Sequence, residues 1–248
     1  MKLIKRWLMD CLLESRLYPH IYFSGNPFKI VEYDSMMRSA RPGEDDVILD
    51  LGCGAGLQTA LLRRKARRVM GLDVSEGAIG RARSDVHLVK DTVRPEFICS
   101  DLEQARFENE MFDKVYSFCV LEHIPDHRQV LQECFRILKP AGWMVFSVDS
   151  LATIDNPELK RKHALDQKVL RYFTPQSLTE DLLAAGFRDV SVQPMFRGRL
   201  ARRLFEKGIL NGFKCRYSHA VVLSWLLRCS EIVSRGPDGI FLLVACRK

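Results

Sequence analysis

The sequence predicts an α/β fold in which an open, mostly parallel sheet carries helices on both faces, and three observations predict it. An apolar strand at Val47–Leu51 runs into three glycines at alternate positions, Gly52, Gly54 and Gly56, and then into a helical pattern at Leu57, Ala60 and Leu61. The alternation of short apolar strand and helix continues along most of the chain, the pattern of parallel strands joined by crossover helices. Acids, Asp73 and Asp101, stand at or just after the ends of the next two strands, where an open sheet presents residues to a ligand.

Taken in order, residues 3–12 place Leu3, Ile4, Trp7, Leu8, Cys11 and Leu12 on one helical stripe, with Lys2, Lys5 and Arg6 off it. This helix belongs to an N-terminal lid or brace over 1–40 and is expected to pack on the domain body, with membrane-surface attachment as the alternative. Asn26-Pro27 reads as an N-cap followed by proline at the first helical position, opening a helix towards Ser39 that Arg41-Pro42-Gly43 ends. A domain over 41–248 follows. In its glycine corner, positive φ and the unpaired amides of a helix start make a site for an anionic or carboxylate-bearing group. Asp50 stands two residues before the first glycine, where it repels a pyrophosphate but can pair with an ammonium. A ligand with both a carboxylate and an amino group satisfies both features.

The basic run Arg63–Arg68 reads as a solvated helix end favoured by the helix dipole. Val69–Ser75 is a second strand, and Asp73, about twenty residues past the glycine turn, can accept hydrogen bonds from both hydroxyls of a ribose. A helix over Glu76–Arg83 follows, then a short third strand, Phe97–Cys99, leading into Ser100-Asp101-Leu102. Phe112–Val120 is the fourth strand, with Leu121-Glu122-His123-Ile124-Pro125-Asp126 at its carboxyl end, where chemistry is expected. A helix over Arg128–Leu138 is broken by Lys139-Pro140-Ala141-Gly142, and Trp143–Val148 is the fifth strand. From Ser150 to Arg171 polar residues dominate and the pattern loosens, which reads as a mobile cap. Thr174-Pro175 caps another helix, with Leu178, Leu182 and Leu183 inward and Gly186 as its stop, and Phe187–Gln193 is the sixth strand. The segment 195–236, longer than a hairpin needs, is an insertion before a final strand at Ile240–Cys246.

Composition narrows the classes. With 248 residues, 47% hydrophobic and 28% charged, the chain suits a soluble globular protein, and no run reaches the roughly 18 apolar residues of a membrane span. The eight cysteines form no C-x-x-C pair, which argues for a reducing, cytoplasmic setting and against a zinc site. The net charge of +7 is concentrated: between Met195 and Arg216 seven basic residues stand against Glu206 alone.

The Asp50–Gly56 stretch resembles the first motif of class I S-adenosylmethionine-dependent methyltransferases. The likeness extends over about residues 45–150. L-E-H-I-P-D at 121–126, a helix ending I-L-K-P-A-G and an apolar strand are similar to the small-molecule branch that includes ubiquinone and menaquinone biosynthesis methyltransferases. Y-F-T-P at 172–175 and the following helix fit the same branch. The resemblance implies a Rossmann-like, seven-stranded sheet whose last strand inserts antiparallel between its predecessors. It implies S-adenosyl-L-methionine as cofactor, held by Asp50, Gly52, Cys53, Gly54, Gly56, Asp73, Val74, Asp101, Leu102, Phe118 and Cys119. Asp101 would lie near the adenine amine and Leu102 would cover the ring. Most relatives have glycine where this chain has Ala141, a change expected to alter the turn only slightly.

Methyl transfer from a sulfonium is an in-line displacement that needs chiefly positioning. His123 is the candidate catalytic residue, a base for an acceptor that must lose a proton, with a structural role in bonding the cap or the strand end as the alternative. Some related quinone O-methyltransferases hold a divalent ion at this loop with acidic neighbours. One such position is Cys119 here, and thiols suit magnesium poorly, so no metal is expected. The D/N-P-P-Y/F motif of base-amine methylation is absent, so a small-molecule acceptor, O- or C-methylated and anionic or lipid-linked, is expected rather than nucleic acid. Peripheral membrane contact stays open, and oligomeric state is not legible. The competing functions are a non-catalytic cofactor-binding or scaffolding module and an RNA methyltransferase, the latter predicting salt-sensitive nucleic-acid binding.

Overall fold

Turn and cap signals read from the sequence find their hydrogen bonds in the computed structural model, which describes residues 25–85 and 94–248. The helix expected at 3–12 lies outside those residues. Asn26 accepts the Phe28 amide at 3.0 Å and starts helix α1 (Pro27–Ser39), which buries Phe28, Ile30, Val31, Tyr33, Met36 and Met37. Strand β1 (Val47–Leu51) is buried along its whole length. Helix α2 (Leu57–Arg63), strand β2 (Arg68–Asp73), helix α3 (Glu76–Asp85) and strand β3 (Glu96–Cys99) complete one half of the sheet.

The other half begins with strand β4 (Phe112–Phe118), a 3-10 turn (Leu121–His123), helix α4 (His127–Ile137) and strand β5 (Leu138–Asp149). Helix α5 (Pro157–Gln167), helix α6 (Pro175–Ala184), strand β6 (Arg188–Met195), helices α7 (Arg199–Asn211) and α8 (Tyr217–Val233), and strand β7 (Phe241–Arg247) follow. The strand order is β3-β2-β1-β4-β5-β7-β6. β7 lies antiparallel between β5 and β6, and the other pairs are parallel.

Alternation along the strands sorts the core into two layers, because successive side chains point to opposite faces. Along β7, Phe241, Leu243 and Ala245 join the layer with α1, α2, α7 and α8, while Leu242, Val244 and Cys246 join the layer with α4 and α6. Helices therefore cover both faces of a Rossmann-like sheet.

Four local expectations change. The Lys139–Gly142 break is absorbed as a bulge within a continuous β5: Phe112 pairs with Leu138, and Lys114 already pairs with Trp143. Ala141 takes φ 63° there, a left-handed conformation that costs an L-residue roughly 1–2 kcal/mol. β4 ends at Phe118 rather than Val120, because Cys119 turns left-handed at φ 54°. The stretch read as a loose cap contains α5, capped by Asn156, whose amphipathicity was invisible because His163 is its one buried residue. Leu183 is exposed: Leu178, Asp181 and Leu182 form the inner side of α6, and Leu183 lies a further 100° or so around the helix.

Candidate active site

The parallel strands deliver their carboxyl ends to one rim, and between β1 and β4 the strand order reverses, opening a crevice. A cavity of about 520 Å³ occupies it. Its walls come from the segments after five different elements: Leu51-Gly52, Leu72-Asp73-Val74, Ser100-Asp101-Leu102, Phe118-Cys119-Val120 and the loop from His123 to Pro125. Eight of the twelve residues selected from the sequence line it: Gly52, Asp73, Val74, Asp101, Leu102, Phe118, Cys119 and His123.

The other four, Asp50, Cys53, Gly54 and Gly56, belong to the same strand end and turn and shape it. At Gly56, φ is 77° and a Cβ would lie 2.6 Å from the Phe97 ring, so glycine lets the turn pack against β3. At Gly52, φ is 72° and a Cβ would strike Val120 at 2.3 Å, so glycine lets the turn after β1 close against the segment after β4. The Gly54 amide donates to Asp73 Oδ2 at 2.9 Å and the Ser75 amide to Asp73 Oδ1 at 2.8 Å, which orients this acid over the crevice. Cys53 is buried, and burial pushes its thiol far up, so it packs as a small apolar side chain.

Asp50 carries the clearest electrostatic signal. It is 1% exposed, its Oδ2 accepts the Thr59 hydroxyl at 2.6 Å, and its Oδ1 has no hydrogen-bond partner among the described residues. Burial pushes the carboxyl up to about 7, partly offset by the Thr59 hydrogen bond. A buried carboxylate oxygen lacking a donor can receive a cationic or N–H-bearing group.

Beneath this crevice lies a second, smaller cavity of about 210 Å³, which sequence reasoning missed. Phe118, Cys119 and His123 wall both cavities. The remainder of the smaller one comes from four distant parts of the chain: Asn26 and Lys29 of α1, Asp149, His163 and Gln167 of α5, and the aromatic rings Phe205, Phe213 and Phe241. No local motif announces such a chamber, since its residues are assembled only by the packing of the two helical segments onto the strand ends.

A polar cluster lies buried behind Cys119 and Asp149. Glu32 accepts the Cys119 thiol at 3.1 Å and the Ser147 hydroxyl, and pairs with Lys29 at 2.8 Å. Glu122 Oε1 accepts the Asp149 amide at 3.2 Å. Burial pushes Glu122 up to about 7, with the Glu32 carboxylate adding to the shift, and pushes Asp149 well above the usual carboxylate range, with Glu122 and Glu32 adding to it. Burial also raises the Cys119 thiol, which stays protonated. Cys119, Glu122 and Asp149 place one potential ligand atom each within 4.8 Å of the others.

His123 itself is exposed at the rim, and its Nδ1 lies 3.1 Å from the Lys168 carbonyl oxygen. A carbonyl can only accept, so Nδ1 carries a proton and Nε2 is the nitrogen left to accept one. The loop is tied down by its neighbours: Arg171 donates to the Pro125 carbonyl at 2.8 Å and to His127, and His127 Nε2 donates to Asp181 at 2.7 Å. The Leu170 amide donates to the Glu122 carbonyl at 2.9 Å. Inside the chamber, burial lowers His163 to about 4 and keeps it neutral, with Nδ1 3.2 Å from the Tyr172 hydroxyl.

Comparison with known proteins gives a consistent picture. The methyltransferase domain family (Methyltransf_11) matches residues 49–146. A ubiquinone biosynthesis O-methyltransferase of Hahella chejuensis is 33% identical over 123 residues, 49% of either chain. A probable S-adenosylmethionine-dependent methyltransferase of Mycolicibacterium smegmatis is 30% identical over 61% of this chain and 55% of its own. The chain thus spans about half the length of the curated relatives it matches. A crystal structure of an S-adenosylmethionine-dependent methyltransferase from Mesorhizobium loti superposes with a TM-score of 0.63 at 20% identity, covering 88% of this chain and 98% of that one.

Proposed function

Residues 49–146 carry a methyltransferase domain, and from that premise we propose that the chain transfers a methyl group from S-adenosyl-L-methionine to an oxygen or carbon of a small-molecule acceptor. The observation that carries this reading is the pair of cavities meeting at Phe118, Cys119 and His123, one at the strand ends and one under the helical segments. Adjoining cavities suit a transfer reaction, because donor and acceptor must be held in line about 3–3.5 Å apart.

When bound, the cofactor supplies an electrophilic methyl on a sulfonium. The protein residues do the rest. The Asp50 carboxylate would receive the amino group, Asp73, held by the Gly54 and Ser75 amides, would accept the ribose hydroxyls on its remaining lone pairs, and Asp101 would face the adenine amine with Val74 and Leu102 against the ring. His123 holds its Nε2 lone pair at the junction of the chambers and takes the acceptor proton. The rings of Phe205, Phe213 and Phe241 offer the acceptor an apolar surface beside the polar side chains of Lys29, Asp149 and His163. No metal is needed in this reading, since the thiol among Cys119, Glu122 and Asp149 is a poor magnesium ligand.

Two measurements test it. Calorimetry should detect S-adenosylmethionine binding, and labelled cofactor incubated with a cell extract should label a small molecule seen by mass spectrometry. Absence of binding would remove the proposal, and binding without transfer to any extract component would favour a non-catalytic module. Label appearing in RNA would redirect the acceptor assignment, and turnover lost to a chelator and restored by magnesium would overturn the metal-free reading.

A further inference from the structure

Helix α8 has two unlike faces. Ala220, Ser224 and Leu227 are buried, and on the same side Arg228 pairs with Asp34 of α1. The opposite side repeats at helical spacing: Val222, Trp225, Leu226, Ile232 and Val233 are all exposed, Trp225 at 59%, Ile232 at 81% and Val233 at 78%. The stripe runs for about 16 Å along the axis. Isolated surface apolar residues are ordinary, whereas a periodic stripe that includes a tryptophan marks a contact face.

Basic side chains bracket this stripe. Lys214 and Arg216 precede α8 and Arg235 follows it, all exposed. Gly198, at the start of α7, packs so closely on the end of α8 that a Cβ there would lie 2.3 Å from Ser230 Oγ. Helix α7 thus shares the segment with α8, and it presents Arg199, Arg203 and Lys207 to solvent. Between Met195 and Ser234 the acids are Glu206, paired with Arg202, and Glu231, paired with Arg197, so the exposed positive charge is not balanced within the segment.

We propose that the α7–α8 insertion is a docking surface for an anionic lipid bilayer, with the stripe entering the headgroup boundary and the basic residues meeting lipid phosphates. Charge complementarity selects this occupant over a second copy of the chain, because a two-fold contact over the stripe would bring the same cations against themselves. Among the described residues no helix is long and apolar enough to cross a membrane, so the contact is peripheral. The insertion also supplies Phe205 and Phe213 to the smaller cavity, so docking would set that chamber beside the lipid phase.

The test is flotation with vesicles of phosphatidylcholine containing phosphatidylglycerol, compared with pure phosphatidylcholine. The full chain should bind the anionic vesicles, more weakly as salt is raised. The pair Trp225→Ser with Ile232→Ser should weaken binding about tenfold or more while the melting temperature is kept. Should that pair fold poorly, Arg199→Glu with Lys207→Glu reads the same contact through its charge. Failure to bind, equal binding to neutral vesicles, or binding unchanged in the variants would overturn the proposal. A dimer dissolved by the Trp225 and Ile232 changes, with no vesicle binding, would assign the stripe to a second copy instead.

Discussion

Replacing Asp50 by asparagine should make the ligand-free protein more stable and a worse cofactor binder, with both effects depending on pH. The folded carboxyl holds its proton up to about 7, whereas its ordinary value is 3.8. Between those values the folded chain binds more protons than the unfolded one, so stability falls as pH rises. At roughly 1.4 kcal/mol per pH unit, the wild type above pH 7 carries a penalty of roughly 4 kcal/mol relative to acid conditions. The asparagine amide oxygen can still accept the Thr59 hydroxyl and the side chain never ionises, so Asp50→Asn should escape the loss. Urea unfolding of both proteins from pH 5 to 8.5 reads this directly. Glu122 and Asp149 titrate in both, so the difference between the two curves isolates position 50. The variant should also bind S-adenosylmethionine about ten- to a hundredfold more weakly at pH 8, the worth of a hydrogen bond to a charged group. Wild-type affinity should itself weaken below about pH 7 as Asp50 takes up its proton. Parallel stability curves, or equal cofactor affinity at pH 8, would refute the assignment of the Asp50 carboxylate to the amino group.

Three further outcomes follow from the geometry. His123→Ala should lower kcat by about 10²–10⁴-fold and leave cofactor affinity within a few-fold by calorimetry, and equal losses in both would assign His123 to holding the cap through Lys168. Gly56→Ala places a methyl against Phe97 at positive φ and should cost about 1–3 kcal/mol in urea unfolding, and a negligible change would mean that β3 yields easily. Ala141→Gly relieves a left-handed residue but frees the unfolded chain, so it should raise stability by under ~1 kcal/mol, and a loss would show that the Ala141 methyl packs favourably in the bulge.

Several parts of the site were legible because their chemistry is local. The glycines at 52, 54 and 56 announce a turn wherever they occur, and Asp73 and Asp101 follow strands whose apolar runs are unmistakable. Caps such as Asn26 and Thr174 depend on neighbours two or three residues away. Helix α5 failed this test from its other side: its surface is polar nearly all round, so no 3.6-residue period exposes it. Leu183 failed because a helix of ten residues offers several inner stripes of equal apolarity, and the partner surface selects one.

The sequence alone determined the strand, turn and helix order, the corner at Asp50–Gly56 and the acids that project from the strand ends, since periodicity and turn chemistry are written within a few residues. Only the tertiary structure brought Glu32, Asp149 and His163 into one neighbourhood. They lie more than a hundred residues apart in part, and they become one buried polar cluster only when α1, α5 and the insertion close over the carboxyl ends of β4 and β5. Desolvation is a property of that enclosure, and the shifts at Asp50, Glu122 and Asp149 come from the surrounding packing rather than from their place in the chain.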